Sequence, residues 1–126
     1  LLLIFRLINL RMLQLSIITH SITQTEATAL AKTMQSQLGP TTTILSIHPY
    51  HKFPDSYSIN LETIVPPDNP AAIIHQAIAL AYQIVSPWLM YYDSDLEKIE
   101  LIYNESDQTQ KRHPAFEKIR WGQISY

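Results

Sequence analysis

The chain of 126 residues has no cysteine, only two glycines and a charged fraction of 16%, with a formal net charge of -2. Without cysteine there is no disulfide framework, no thiolate zinc site and no cysteine nucleophile, which fits a reducing cytoplasm. Charged residues make up about 25% of an average globular protein, so this chain carries few. The near-neutral balance gives no electrostatic reason to expect a nucleic acid as partner. The length is that of one domain with a substantial core.

Residues 1–10 are almost entirely apolar, interrupted by Arg6 and Asn9, and the first methionine is Met12. A signal peptide carries its positive charge before the apolar run, whereas Arg6 and Arg11 lie inside or after this one. These two arginines also make the apolar run a poor candidate for a membrane span. We expect residues 1–11 to be an apolar N-terminal extension, either a docked segment or sequence translated from upstream of Met12. Residues 12–126 would form a single domain.

Residues 69–92 contain no Asp, Glu, Lys or Arg. Asn69 is a good N-cap, Pro70 suits the first helical position, and apolar residues then recur at helical spacing. These apolar residues cover most of the helix circumference, so we predict a core helix that is buried on more than one side. We expect it to end near Ser86 or Pro87.

The rest of the chain divides into short elements with clear boundaries. Thr23 and Glu26 form a capping-box pair that starts a helix, which Gly39 ends. Alternating apolar residues predict strands at residues 13–18, 42–48, 57–65, 88–91, 98–104 and 116–125, the last with Ile119 and Trp121 directed inward. The order β-α-β-β-α followed by two or three strands predicts an α+β fold, with both helices on one face of a mostly antiparallel sheet. A ferredoxin-like β-α-β-β-α-β core with added C-terminal strands fits this order.

Three histidines are candidates for chemistry. His48 and His51 lie in one loop and could bind a metal or move a proton. Asp55 is the nearest carboxylate and no third ligand is evident, so a chance pair is the commoner interpretation. His75 lies on the polar edge of the predicted core helix, where a packed histidine is more common than a catalytic base. We therefore expect no metal, no cofactor and no catalytic residue.

Six of the eleven acidic residues lie within residues 93–107, which we call the acidic segment, and only Lys98 offsets them. They are Asp93, Asp95, Glu97, Glu100, Glu105 and Asp107. The spacing is similar to part of a calcium loop but lacks the glycine and the remaining ligands of an EF-hand. One interpretation is a solvated turn and strand edge, where charge blocks unwanted pairing.

The other interpretation of the acidic segment is a protein-binding face. Together with Trp88, Tyr91 and Tyr92, it would present aromatic anchors and steering charges to a basic protein. The basic residues Lys111, Arg112, Lys118 and Arg120 lie close by in sequence. If they pair with the acidic residues, this face becomes smaller.

Three stretches are similar to a known class of proteins. Asn69-Pro70-Ala71 opens an apolar helix, Trp88 and residues 93–105 follow it, and Ile119-Arg120-Trp121 lies near the end. In this general plan, over residues 12–126, the chain resembles the small single-domain immunity proteins of bacterial contact-dependent inhibition and other polymorphic toxin systems. Such proteins are often compact, cysteine-poor α+β domains with an acidic binding face.

The resemblance implies a cytoplasmic protein that binds a cognate toxin domain and blocks its active site or an essential surface, without catalysing a reaction. It implies neither a nucleic acid nor a membrane as partner. Two alternatives stay open. A small ligand-binding or enzymatic domain would use the loop of His48, Tyr50 and His51, and predicts a concave site with a convergent histidine and carboxylate. An oligomeric structural domain would pair through a sheet edge or the apolar amino segment, and monomer and homodimer are undecided.

Overall fold

The computed structural model describes residues 11–65, 69–93 and 98–126, with only the backbone of Arg11. This part of the chain forms two α-helices, α1 (Gln24–Leu38) and α2 (Pro70–Ala81), and a short 3-10 helix (Pro114–Phe116). Its strands are β1 (Arg11–Thr19), β2 (Thr42–Pro49), β3 (Tyr57–Val65), β4 (Val85–Ser86), β5 (Leu89–Tyr92), β6 (Ile99–Asn104), β7 (Gln110–Lys111) and β8 (Ile119–Ser125). The predicted α+β class and element order are confirmed. The predicted N-terminal extension, apart from Arg11, lies outside the described residues.

Six strands form one antiparallel sheet in the order β2-β3-β1-β8-β6-β5. The first four places match a ferredoxin-like sheet, in which a strand lies between the two strands that each helix connects. The additional hairpin β5–β6 precedes the last strand in sequence rather than following it. It extends the sheet because Ile99, Leu101 and Tyr103 of β6 are buried and continue the core beyond β8.

The core lies between the helices and one face of this sheet. Alternate residues of β1, β3 and β6 point into it, as the period of two predicts. α1 contributes Ala27, Leu30, Ala31 and Met34, and α2 contributes Ile73, Ala77 and Ala81 to the same cluster. Both helices therefore cover one face of the sheet, and the opposite face, here called the open face, is left without a helix in the described residues.

α1 begins and ends where the sequence predicts. The Glu26 amide donates to Thr23 Oγ1 at 3.1 Å and the Thr23 amide donates to Glu26 Oε1 at 3.0 Å. The hydrogen bond from the Thr23 amide, followed by one from the Thr23 side chain, holds the pKa of the Glu26 carboxyl below its ordinary value. Gly39 ends the helix at φ 106°, a conformation that side chains rarely allow.

α2 is shorter than predicted. Asn69 caps it through the Ala72 amide, but it ends at Ala81 rather than near Ser86 or Pro87. Val85–Ser86 instead pairs with Gln110–Lys111 as the strand β4. The Trp88 indole N–H donates to the backbone carbonyls of Ala81 and Val85. In a longer helix these carbonyls would accept from backbone amides four residues further along the chain. Burial of α2 is complete at Ile73, Ala77 and Ala81, and Ile74, Ile78 and Leu80 pack partly buried against the same core.

The pairing between β1 and β8 contains a β-bulge. Ile18 of β1 pairs with Trp121 of β8, but the next residue, Thr19, pairs with Ile119, so Arg120 is an extra residue. A bulge of one residue moves the following side chains to the other face. Ile119 is buried as predicted, whereas Trp121 lies half-buried on the open face, contrary to the prediction. Gly122 and Ile124 take the inward positions, and Gly122 leaves room for Trp88.

Candidate functional site

The open face is lined by the outward residues of β1, β3 and β8. In its centre, Ser16 Oγ donates to Asn60 Oδ1 at 2.8 Å, and Asn60 Nδ2 donates to Ser46 Oγ at 3.0 Å. Toward its edge, Gln123 Nε2 donates to Glu100 Oε2 at 2.6 Å. These bonds link polar side chains of neighbouring strands across the open face.

A pocket of about 830 Å³ lies at one end of this face. Its floor includes Ser16, Ile18, Ser58 and Gln123, and its walls are His20, Tyr50, Lys52, Phe53, Asn104, Glu105, Arg120 and Trp121. The Tyr50 amide donates to the Ser56 carbonyl at 2.8 Å and closes the β2–β3 loop, and Phe53 of this loop contacts the Arg120 guanidinium of β8. The bulge at Arg120 directs Trp121 into the same space, so local backbone geometry builds the pocket.

A histidine and a carboxylate converge at the rim of this pocket. The His20 amide donates to the Lys118 carbonyl at 2.8 Å, and the Glu105 amide donates to the Arg120 carbonyl at 3.2 Å. These two backbone bonds bring His20 Nε2 within 2.7 Å of Glu105 Oε1, while Lys111 Nζ bonds the other carboxylate oxygen. Partial burial alone would raise the pKa of the Glu105 carboxyl, but the hydrogen bonds from Lys111 and His20 hold it below its ordinary value.

The ligand-binding alternative predicted a concave site with a histidine and a carboxylate, formed by the loop of His48 and His51. The pocket has such a pair, but it consists of His20 and Glu105. His48 and His51 are exposed and lie outside the pocket lining, and His75 is exposed on α2. Within the described residues no three His, Asp or Glu side chains are grouped closely enough to hold a metal ion.

The acidic segment is divided between two ends of β6. Asp93 precedes this strand, and Glu105 and Asp107 follow its six residues, which span about 20 Å at 3.4 Å per residue. Glu105 is neutralised by Lys111, one of the basic residues expected to reduce the negative face. Glu100 lies between the two ends, half-buried on the open face. Asp95 and Glu97 lie outside the described residues.

The three aromatic residues next to the acidic segment differ in exposure. Trp88 is only 7% exposed and packs against Tyr103 with 5.7 Å between ring centroids. Trp88 is therefore part of the core and is not available to contact a partner in this conformation. Tyr91 and Tyr92 are 54% and 61% exposed on β5. Their neighbours Leu89 and Met90, which we did not select from the sequence, are 61% and 39% exposed.

β5 is an edge strand whose outer side is open. Among the described residues it pairs with β6 alone, and the Asp93 amide donates to the Lys98 carbonyl at 3.3 Å. Because bonded and non-bonded pairs alternate in an antiparallel ladder, the amides of Tyr91 and Leu89 also face β6. The backbone groups of Met90 and Tyr92 then point away from the sheet. This strand therefore has four exposed large side chains together with outward backbone donors and acceptors that have no strand partner among the described residues.

No family model, curated protein or solved structure matches this chain. Its function is therefore inferred from the geometry of the pocket and of β5. Among the described residues, no helix has both the length and the apolar character needed to cross a membrane; the two α-helices, α1 and α2, have 15 and 12 residues.

Glu105→Gln is expected to lower the free energy of unfolding at pH 7 by about 1 kcal/mol or less, since the carboxylate is one-third exposed. The pKa of this carboxyl is lower in the folded protein than its ordinary value of 4.5, so its stabilising effect is present above pH 4.5. The effect disappears as pH falls through the folded pKa. Urea unfolding between pH 7 and pH 3 should show the difference from wild type shrinking in the acidic range.

The matched control for this prediction is Glu117→Gln. Glu117 is exposed and makes no ion pair within the described residues. Glu117→Gln should have little effect on the free energy of unfolding at any pH. A Glu105→Gln deficit that persists unchanged at pH 3 would show that the carboxylate charge is not what stabilises this corner.

Proposed function

We propose that this protein is an immunity protein that binds a cognate bacterial toxin domain in the cytoplasm and neutralises it without catalysing a reaction. The observation that supports this most strongly is the edge strand β5, which has exposed apolar side chains and outward backbone groups that no strand of the described residues pairs with. An exposed apolar edge is an aggregation hazard that proteins normally cover or charge. A strand of this kind is expected to have a partner.

The mode of binding that suits β5 is strand addition. A partner strand would bond to the backbone of Met90 and Tyr92, while Leu89 and Tyr91 on one side and Met90 and Tyr92 on the other contact its side chains. Tyrosine is among the residues that dominate binding energy at interfaces. These contacts would place the toxin across the edge of the sheet and occlude the surface it uses.

Charge would select and steer the partner. Asp93 lies at the end of β5 and Glu100 is paired with Tyr91 across the ladder, so the carboxylates nearest the edge belong to this half of the acidic segment. Asp95 and Glu97 lie between these two in sequence and outside the described residues, and they belong to the proposal on their sequence alone. Glu105 and Asp107, at the far end of β6, would contribute little. A toxin surface with lysine or arginine beside an exposed strand is the expected complement.

A second copy of this chain is the competing occupant of β5, as in the oligomeric alternative. Two β5 strands could pair antiparallel about a twofold axis, which closes the edge in the same way. In that arrangement the protein would be a homodimer at micromolar concentration without any toxin. Light scattering of the purified protein distinguishes the two cases.

Co-expression with the product of the gene immediately upstream tests the proposal. We expect that product to stop growth when expressed alone, and this protein to restore growth and to copurify with it as a stable complex. A double variant, Leu89→Asp with Tyr91→Asp, places charge on two exposed positions and should abolish rescue while leaving the fold intact. An upstream product that is not toxic and forms no complex would contradict the proposal.

A further inference from the structure

We propose that the pocket on the open face binds a small planar anion, an aromatic carboxylate or a phosphate ester of a planar base, with Arg120 and Lys52 holding the charge. This site goes beyond the proposed toxin interface, because none of the residues lining the pocket belongs to β5.

Two cations in this pocket have no ion-pair partner in the part of the chain that the structure describes. Arg120 is half-buried and Lys52 is exposed, and neither has an ion pair or a side-chain hydrogen bond within the residues the structure describes. Glu105 is the carboxylate that lines the pocket, and His20 and Lys111 already occupy its oxygens. A half-buried guanidinium without an acceptor favours an incoming anion, since its planar N–H donors match carboxylate and phosphate oxygens.

The position of Arg120 is fixed before any ligand arrives. Its Cζ lies 3.7 Å from the centroid of the Phe53 ring, and Phe53 itself packs on Tyr50 with 5.8 Å between ring centroids. A cation–π contact uses the charge of the guanidinium but gives its N–H groups no oxygen acceptor. The β-bulge holds the backbone of the same residue, so ordering this side chain costs little on binding.

The walls indicate the shape of the ligand. Three aromatic side chains, Tyr50, Phe53 and Trp121, line the pocket beside the cations, and Asn104 adds an exposed amide. Aromatic walls next to a fixed guanidinium suit a flat ring that carries an acidic group. The volume of about 830 Å³ is within the usual range for small-molecule sites. Two free cations are too few for a nucleic-acid surface, and the net charge of -2 opposes one.

Two matched pairs of probes test this site by NMR: 2-naphthoate with its neutral analogue 2-naphthamide, and adenosine monophosphate with adenosine. The protein has two tryptophans, so its spectrum has two indole N–H signals. The signal of Trp121 should shift on binding, while that of Trp88, bonded to Ala81 and Val85 in the core, should not. At least one anion should bind about tenfold tighter or more than its neutral analogue. Preference for naphthoate identifies a carboxylate site, and preference for the nucleotide identifies a phosphate site.

Arg120→Met should remove the preference for the anion, whereas Lys118→Met, an exposed lysine outside the pocket lining, should leave it unchanged. Lys52→Met, in an exposed loop, is the second variant if Arg120→Met unfolds. It should weaken binding of the anions and leave binding of the neutral compounds unchanged. The proposal is overturned by equal binding of charged and neutral probes, or by unchanged anion binding in the folded variant. It is also overturned if no probe shifts the Trp121 signal at millimolar concentration.

Discussion

Trp88→Ala is expected to lower the free energy of unfolding by about 3–5 kcal/mol, the range for large aromatic residues truncated in cores. The indole fills the space above Gly122, where an added Cβ would lie 3.0 Å from Trp88 Cη2. Its Nε1 donates to the Ala81 carbonyl at 3.1 Å and to the Val85 carbonyl at 2.8 Å. The substitution would therefore create a cavity and remove the indole donor of the Val85 carbonyl, while the Ala81 carbonyl would keep its bond from the Ile84 amide at 3.1 Å. Urea unfolding followed by circular dichroism measures the loss.

Trp121→Ala is the matched control, because the same side chain is removed from the half-buried open face. Trp121→Ala should lower the free energy of unfolding clearly less than Trp88→Ala does. Trp88→Phe separates the two causes, since it keeps most of the volume but loses the indole N–H. Equal losses for the two tryptophan-to-alanine variants would contradict the assignment of Trp88 to the core and return it to the surface anchors.

Met90→Pro is expected to weaken binding of the toxin domain by about 10- to 100-fold, with little effect on stability. Proline removes the outward N–H that would bond to the partner strand and leaves the partner carbonyl without a donor, at a cost of about 1–3 kcal/mol. Proline is tolerated on an edge strand when its missing N–H faces solvent. Calorimetric titration of the purified partners and thermal unfolding of the variant give the two readouts.

Two variants show whether the backbone is responsible. Met90→Ala keeps the N–H and should lose much less affinity than Met90→Pro. Tyr91→Pro removes an N–H that faces β6, so it should destabilise the β5–β6 hairpin itself. If Met90→Pro binds as tightly as Met90→Ala, the partner does not add a strand at this edge, and only side-chain contacts would remain to explain binding.

Local sequence patterns predicted most helices and strands, because apolar alternation and helix caps depend on residues that are close together in sequence. The alternation of Ile59, Leu61 and Thr63 gave β3, and the capping box and Gly39 gave both ends of α1. The end of α2 could not be predicted in this way. An apolar run does not distinguish a buried helix from a buried strand, and β4 is selected by pairing with Gln110–Lys111, far along the chain.

The candidate sites depended on contacts between distant residues, which the sequence could not supply. The rim pair His20 and Glu105 is separated by 85 positions. The bulge at Arg120, which directs Trp121 to the open face, has no signal in the sequence that we could identify. The acidic segment looked like one cluster because its residues are close in sequence, but an extended strand places Asp93 and Glu105 at opposite ends. Leu89 and Met90 could have been found, since four large apolar residues directly follow Trp88.

Amide hydrogen exchange of the protein with and without its toxin domain tests the central claim most directly. The amides of Met90 and Tyr92 should exchange rapidly in the free protein and become protected in the complex, because the partner strand would then accept their N–H groups. The amides of β2, the strand at the opposite edge of the sheet, should not change and serve as the internal reference. Protection confined to β2 or to the helices, with Met90 and Tyr92 still exchanging rapidly, would contradict binding at β5.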